Sequence, residues 1–108
     1  MTSLQSRKIG CIGVGNMGGA IISGISGSVP SSSLFIFDAD RPRAEKLSAL
    51  CGASISGSAR EMAETCDIII IAVKPGIVPE VLEEIKPFSM NRTIVSIAAG
   101  ITIERMES

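Results

Sequence analysis

Glycines at positions 13, 15 and 18 form a G-x-G-x-x-G run, and the residues on either side of it decide what that run can do. The approach, Lys8-Ile9-Gly10-Cys11-Ile12, is short and apolar and reads as a strand. Beyond it Met17, Ile21, Ile22 and Ile25 recur at spacings of three and four, as on one face of a helix. Strand, glycine turn and helix in that order is the context in which such a run binds the pyrophosphate of a dinucleotide. Gly13 suits the tight turn out of the strand, Gly15 the close approach of backbone to phosphate, and Gly18 the packing of helix on sheet. The free amides and positive dipole end of the helix add attraction for an anion. Five of the eleven glycines lie between Gly10 and Gly19. Ordering that many in one place is entropically unfavourable, which argues for a specific use over a plain connecting turn.

Asp38 follows Gly18 by 20 residues, the distance at which a carboxylate accepts hydrogen bonds from a ribose. That favours NAD, since a 2′-phosphate would meet a negative charge. Arg41 and Arg43 stand close enough to hold such a phosphate, so NADP stays open. The plain alternative is that Asp38 and Asp40 cap a helix and the arginines are its solvated first turn. Lys74 directly follows an apolar run and would emerge at a ligand edge, either as a snorkelling lysine or as a contact to a phosphate, ribose or carboxylate. The chain has no His, Trp or Tyr, which excludes histidine triads, histidine metal sites and tyrosine acid–base chemistry within it. Cys11, Cys51 and Cys66 are far apart with no C-x-x-C pair, and read as small apolar residues in a reduced compartment rather than a zinc or redox site.

These residues need elements to place them. Leu34 to Phe37 reads as a second strand, closed by Asp38-Ala39-Asp40. A helix opens near Arg41-Pro42 with Asp40 as a possible cap, buries Ala44, Leu47 and Leu50, and ends before Gly52. A weak strand spans Ala53 to Ile55. Ser58 and Glu61 have capping-box spacing for a short helix to about Thr65. Ile68 to Val73 is unbroken and mostly β-branched, as a strand buried on both faces requires. Lys74-Pro75-Gly76 ends it, and the next helix turns Val78, Val81, Leu82 and Ile85 inward and Glu80, Glu83, Glu84 and Lys86 outward, with Pro87 at its end. Thr93 to Ile97 is a further buried strand, and Ile101 to Ser108 reads as the start of another helix. Alternating strands and helices imply a doubly wound, parallel α/β sheet. Ligands of such sheets sit beyond the carboxyl ends of the strands. That surface comprises Gly13 to Gly18, Asp38 to Arg41, Ala72 to Gly76 and Ala98 to Gly100.

At 108 residues the chain is long enough for one core but not two. A formal charge of −1 with no basic run leaves no electrostatic case for nucleic acid or an anionic membrane. The longest apolar run is too short to span a bilayer, and the polar N-terminus lacks a signal peptide's apolar core, so a cytoplasmic location is expected.

Three segments together, I-G-C-I-G-V-G-N-M-G-G-A-I at Ile9 to Ile21, A-V-K-P at Ala72 to Pro75 and V-S-I-A-A-G-I-T at Val95 to Thr102, resemble pyrroline-5-carboxylate reductase. The resemblance runs from about residue 8 to the C-terminus. It implies a Rossmann-like fold over residues 1–108 and an NAD(P)H-dependent enzyme that reduces 1-pyrroline-5-carboxylate to proline, the last step of proline biosynthesis. It also implies roles: Gly13, Gly15, Asn16, Met17 and Gly18 at the pyrophosphate, and Ala72, Val73, Lys74 and Pro75 along the ribose and nicotinamide. Ala98, Ala99 and Gly100 would lie beside the nicotinamide ring. Members of the family often carry a small or phosphate-binding residue where this chain has Asp38. The family also has a helical second domain, absent from these 108 residues, that completes the substrate pocket and makes the oligomer. The expectation is a cofactor-binding part with little turnover by itself. Two rivals remain: another two-domain dehydrogenase, such as one acting on β-hydroxyacids, and a standalone NAD(P)-binding module without a reaction. The A-V-K-P and S-I-A-A-G segments argue against the first, the unfinished C-terminal helix against the second.

Overall fold

A six-stranded sheet in the order β3-β2-β1-β4-β5-β6 carries helices on both faces. The structure, a computed structural model, describes residues 8–88, 92–97 and 102–106, with Asn16, Met17, Pro75 and the last five residues described by backbone only. The strands are β1 (Ile9–Ile12), β2 (Leu34–Phe37), β3 (Ser54–Ile55), β4 (Ile68–Ile71), β5 (Arg92–Ser96) and β6 (Thr102–Met106). The helices are α1 (Asn16–Ile25), α2 (Arg41–Cys51), α3 (Ala59–Thr65) and α4 (Val78–Ile85). β1 pairs in parallel with β2 on one side and β4 on the other, Ile12 lying opposite both Phe37 and Ile71. The central strands therefore end level, and the chain order reverses between β1 and β4, where open α/β sheets leave a crevice.

Each sheet face has its own core. Cys11, Val14, Ile22, Leu34, Ile36, Ala44 and Leu47 pack under α1 and α2; Ile12, Met62, Cys66, Ile69, Ile71, Val81, Ile85 and Ile94 pack under α3 and α4. β1 is buried along its whole length, so alternate residues feed both cores. Gly10 is the exception in side chain only. A Cβ there would lie 2.5 Å from Met62 Sδ and 2.9 Å from Cys66 Sγ, so the glycine is what lets α3 lie against the central strand.

Local chemistry closes the elements. Gly52 ends α2 at φ 79°, its N–H donating to Ser48 O at 2.8 Å, in the left-handed conformation that glycine adopts without a Cβ penalty. Ser58 Oγ accepts from Glu61 N–H at 3.0 Å, and Glu61 Oε1 accepts from Gly57 N–H at 3.2 Å, a capping box whose return bond lands one residue early. At the amino edge of the sheet Asp67 accepts from Lys8 N–H at 2.9 Å and from Arg92 Nη1 at 3.4 Å, tying β1, β4 and β5 together.

Several expectations need correcting. Residues 102–106 form strand β6, antiparallel to β5 with Ser96 opposite Thr102, and not the start of a helix. A five-residue connection cannot make a parallel crossover, and Thr102 and Ile103 suit an edge strand that satisfies β5's outer hydrogen bonds. The argument against a standalone module that rested on an unfinished helix falls with it. Leu50 is 77% exposed; Cys51, seven residues beyond Ala44, returns closer to the buried face and packs there instead. Asp40 occupies the N-cap of α2 without a side-chain cap hydrogen bond, its carboxylate turned to Arg43 Nη2 at 3.8 Å. Ile68 and Ile70 are only partly buried, at the margin of the core under α1 and α2, and within β5 only Ile94 is fully buried. Pro87 does not stop the chain's helical path at once, since a 3₁₀ turn, Lys86–Phe88, continues past it. Among the described residues no helix is long and apolar enough to cross a membrane.

Gly10→Ala tests how tightly α3 is held. The added methyl must displace a fully buried methionine, so stability should fall by about 1–3 kcal/mol in urea unfolding, whereas an unchanged midpoint would mean that Met62 repacks freely.

Candidate functional site

A cleft of about 670 Å³ opens at the carboxyl ends of β1, β2 and β4, within the size range of small-molecule and cofactor sites. Its floor is Ile12, Gly13 and Gly15; one wall is Phe37, Asp38, Ala39 and Arg43, and the other is Ala72, Val73 and Lys74. Ile77, Glu80 and Val81 complete it from the start of α4.

The three glycines differ in what surrounds them. Gly13 has φ 91°, and a Cβ on it would lie 2.8 Å from Val73 Cγ1 and 3.0 Å from the Ala72 carbonyl. Gly18 sits on the Gly13 carbonyl oxygen so closely that any side chain there would collide with it, and with Ala72 Cβ at 3.1 Å. Gly15 is open: among the described residues its Cβ would meet only Arg43 Nη1, at 3.5 Å. Gly13 and Gly18 thus serve the packing of α1 against β1 and β4, while Gly15 leaves bare backbone at the cleft. Gly15 is also the N-cap of α1 and offers no side chain to cap it; the first helical bond runs from Gly19 N–H to Gly15 O at 2.8 Å. The amides ahead of Gly19 therefore lack helical acceptors and carry the helix's positive end. A phosphate-bearing group fits here, because the position where a Cβ would intrude is empty and donors surround it.

Asp38 lies inside the wall, its side chain only 11% exposed. Oδ2 accepts from Val14 N–H at 2.9 Å and Oδ1 from Asp40 N–H at 2.8 Å, while Gly13 N–H donates to Phe37 O at 2.7 Å. Arg43 Nη1 stands 3.7 Å from Asp38 Oδ2, and its side chain is 53% exposed. Below the turn, the Cys11 thiol donates weakly to Gly13 O at 3.4 Å. Burial pushes this thiol up to about 12, and the Asp38 charge acts in the same direction. Cys66 is likewise raised to about 12 by burial and, secondarily, by Asp67.

Of the residues singled out by sequence, the cleft brings together Gly13, Gly15, Asp38, Ala72, Val73 and Lys74, with Gly18 directly beneath. Asn16 opens α1 and Pro75 opens a 3₁₀ turn at the rim, by backbone placement. Arg41 is not a lining residue; it points to Glu45, 3.4 Å away on the exposed side of α2. Helical phase separates it from Arg43 by two residues, about 200°, so the two cannot face the cleft together. Ala98, Ala99 and Gly100 lie outside the described residues. Sequence reasoning missed Ile77, Glu80 and Val81, whose i, i+3, i+4 spacing puts them on one helical face turned to the cleft.

Comparison with known proteins follows the same outline. A family model described as NADP oxidoreductase, coenzyme F420-dependent, matches residues 8–100. The pyrroline-5-carboxylate reductase of Escherichia coli is 42% identical over 94% of this chain, which spans 39% of that protein's length. A pyrroline carboxylate reductase of Plasmodium falciparum, solved with NADP bound, superposes with a TM-score of 0.75 at 32% identity, over 88% of this chain and 34% of that one. An imine reductase from Myxococcus stipitatus, at 24% identity and a TM-score of 0.77 over 87% of this chain and 32% of that one, shares the fold.

Two outcomes follow for stability. Gly18→Ala should destabilise the chain by about 1–3 kcal/mol or more, and Gly15→Ala should leave the melting temperature nearly unchanged; equal effects would refute the division of labour between them. Raising pH should weaken the fold from about pH 9 upward, because unfolded thiols ionise near 9.0 while folded Cys11 stays protonated to about 12. Stability is complete below the unfolded value and declines above it. A Cys11→Ala variant should therefore lose less stability than the wild type between about pH 8 and about pH 10 in thermal melts.

Proposed function

We propose that this chain, which belongs to the family described as NADP oxidoreductase, coenzyme F420-dependent, is the NAD(P)H-binding part of a pyrroline-5-carboxylate reductase. The reaction would be the reduction of 1-pyrroline-5-carboxylate to L-proline, the last step of proline biosynthesis. The observation that carries the reading is the bare Gly15 backbone at the head of α1, set where strand order reverses and roofed by one arginine. The 42% identity to the Escherichia coli enzyme supports the choice among reductases.

In this reading Gly13 shapes the turn, and Gly15 with the amides of Asn16, Met17 and Gly18 receives the pyrophosphate. Arg43 is placed to add a cation there. Ala72, Val73, Lys74, Pro75 and Ala98 to Gly100 flank the ribose and nicotinamide. When bound, NADPH or NADH supplies the hydride. The chain's own residues bind and orient: Ile12, Phe37, Val73, Ile77 and Val81 give apolar walls for a cofactor to pack against. No described residue of the cleft is assigned as a catalytic acid or base; rate would come from holding donor and imine at reacting distance. Lys74 reaches the cleft rim without an ion pair among the described residues, and suits a phosphate, a ribose or a substrate carboxylate. Because the chain spans 39% of its relative's length, the imine's pocket and the oligomer would depend on a helical C-terminal domain of the whole reductase, working in the cytoplasm.

Calorimetric titration with NADPH and NADH tests the site. The wild type should bind at least one of them, and Gly15→Val should weaken it by more than about tenfold while folding normally. Absence of binding by the wild type would sink the proposal. In the same preparation, residues 1–108 should form negligible proline from 1-pyrroline-5-carboxylate, and robust turnover would show that the pocket is complete without a second domain.

A further inference from the structure

We propose that Asp38 is a positioning residue of the nucleotide site: its carboxylate holds the glycine-rich turn in shape and does not sort NADH from NADPH at the ribose. The proposal rests on the dinucleotide-binding reading above. An acidic residue at the end of β2 is ordinarily a ribose acceptor, with its carboxylate turned to the ligand. Here each oxygen already has a backbone donor, Val14 N–H at 2.9 Å on Oδ2 and Asp40 N–H at 2.8 Å on Oδ1. Oδ2 also faces the Arg43 guanidinium at 3.7 Å, and the side chain is 11% exposed. Of a carboxylate's roughly four acceptor directions two are taken by backbone amides, and the burial of the side chain limits access to the others.

What the carboxylate holds is the turn itself. Val14 stands between Gly13, at φ 91°, and Gly15, and its own side chain is buried at 4%. The amide before it, Gly13 N–H, donates to Phe37 O at 2.7 Å. Two successive amides of the turn therefore lean on the end of β2, one on a carbonyl and one on Asp38. Releasing Val14 N–H would let the Gly13–Val14 peptide rotate, and with it the direction in which Gly15 and the first amides of α1 point. The negative charge is also not presented bare to a 2′-phosphate. Arg43 partly neutralises it and projects over Gly15, so a guanidinium stands beside the carboxylate on this wall.

Asp38→Asn and Asp38→Ser separate the two roles. In the nucleotide-free chain, amide hydrogen exchange at Val14 should speed up in both variants. Affinities for NADH and NADPH should fall together, by roughly tenfold each, with their ratio changing less than about threefold. Unchanged exchange at Val14 would overturn the proposal, as would NADH binding that falls while NADPH binding rises. Failure of both variants to fold would make Asp38 a determinant of folding and also overturn it. A wild type that binds neither nucleotide would instead remove the function on which this role depends, and the role with it.

Discussion

The close seating of Gly18 on the carbonyl of Gly13 is the contact on which the rest of the molecule depends. It brings the head of α1 to within backbone distance of β1, and Ala72, just past β4, closes the same gap from the other side. Interiors at crystal-like density leave no slack for a methyl group at such a point. Once α1 is fixed there, its leading amides project over the crevice between β1 and β4, where strand order reverses. The exposed helix head is thus a by-product of how helix and sheet must pack. The chain leaves Gly15 without a side chain, and the site stays open.

Around that contact the structure uses glycine for two unrelated ends. Gly10 and Gly18 admit neighbours, Met62 with Cys66 and the Gly13 carbonyl respectively, and belong to packing. Gly15 admits, among the described residues, nothing beyond the tip of Arg43. The same residue type is filled in by neighbours at two positions and left open toward the cleft at a third. The environment of the missing Cβ is what separates them.

The wall formed by the end of β2 shows how a polar cluster stays affordable in a half-buried place. The Asp38 carboxylate has two amides and a guanidinium around it, and these partners offset the solvation lost on burial. Arg43 in turn sits between two carboxylates, Asp38 and Asp40, and lines the cleft with half its side chain exposed. Such a side chain is held in place yet remains able to meet a ligand's charge.

Most of the framework was legible from residue types and spacing. The β-branched run at Ile68 to Ile71, the capping box at Ser58 and Glu61, and the terminating Gly52 each carry a local physical cause that does not depend on distant contacts. The strand–glycine–helix order placed the cleft at the carboxyl edge for the same reason. Non-local choices were not legible. Residues 102–106 become a strand because β5 offers an unpaired edge, a fact about sheet order rather than about those five residues. Whether Arg41 or Arg43 faces the cleft depends on the rotation of α2, set by Ala44, Leu47 and Cys51 against the core. Asp38 stood in the sequence as either a ribose acceptor or a helix cap. Only the tertiary structure brought Val14 N–H, 24 residues away, to its oxygen. By itself the sequence determined which residues turn, cap and alternate, because those preferences are local; the fold decided which polar groups meet, because that depends on where separate strands end.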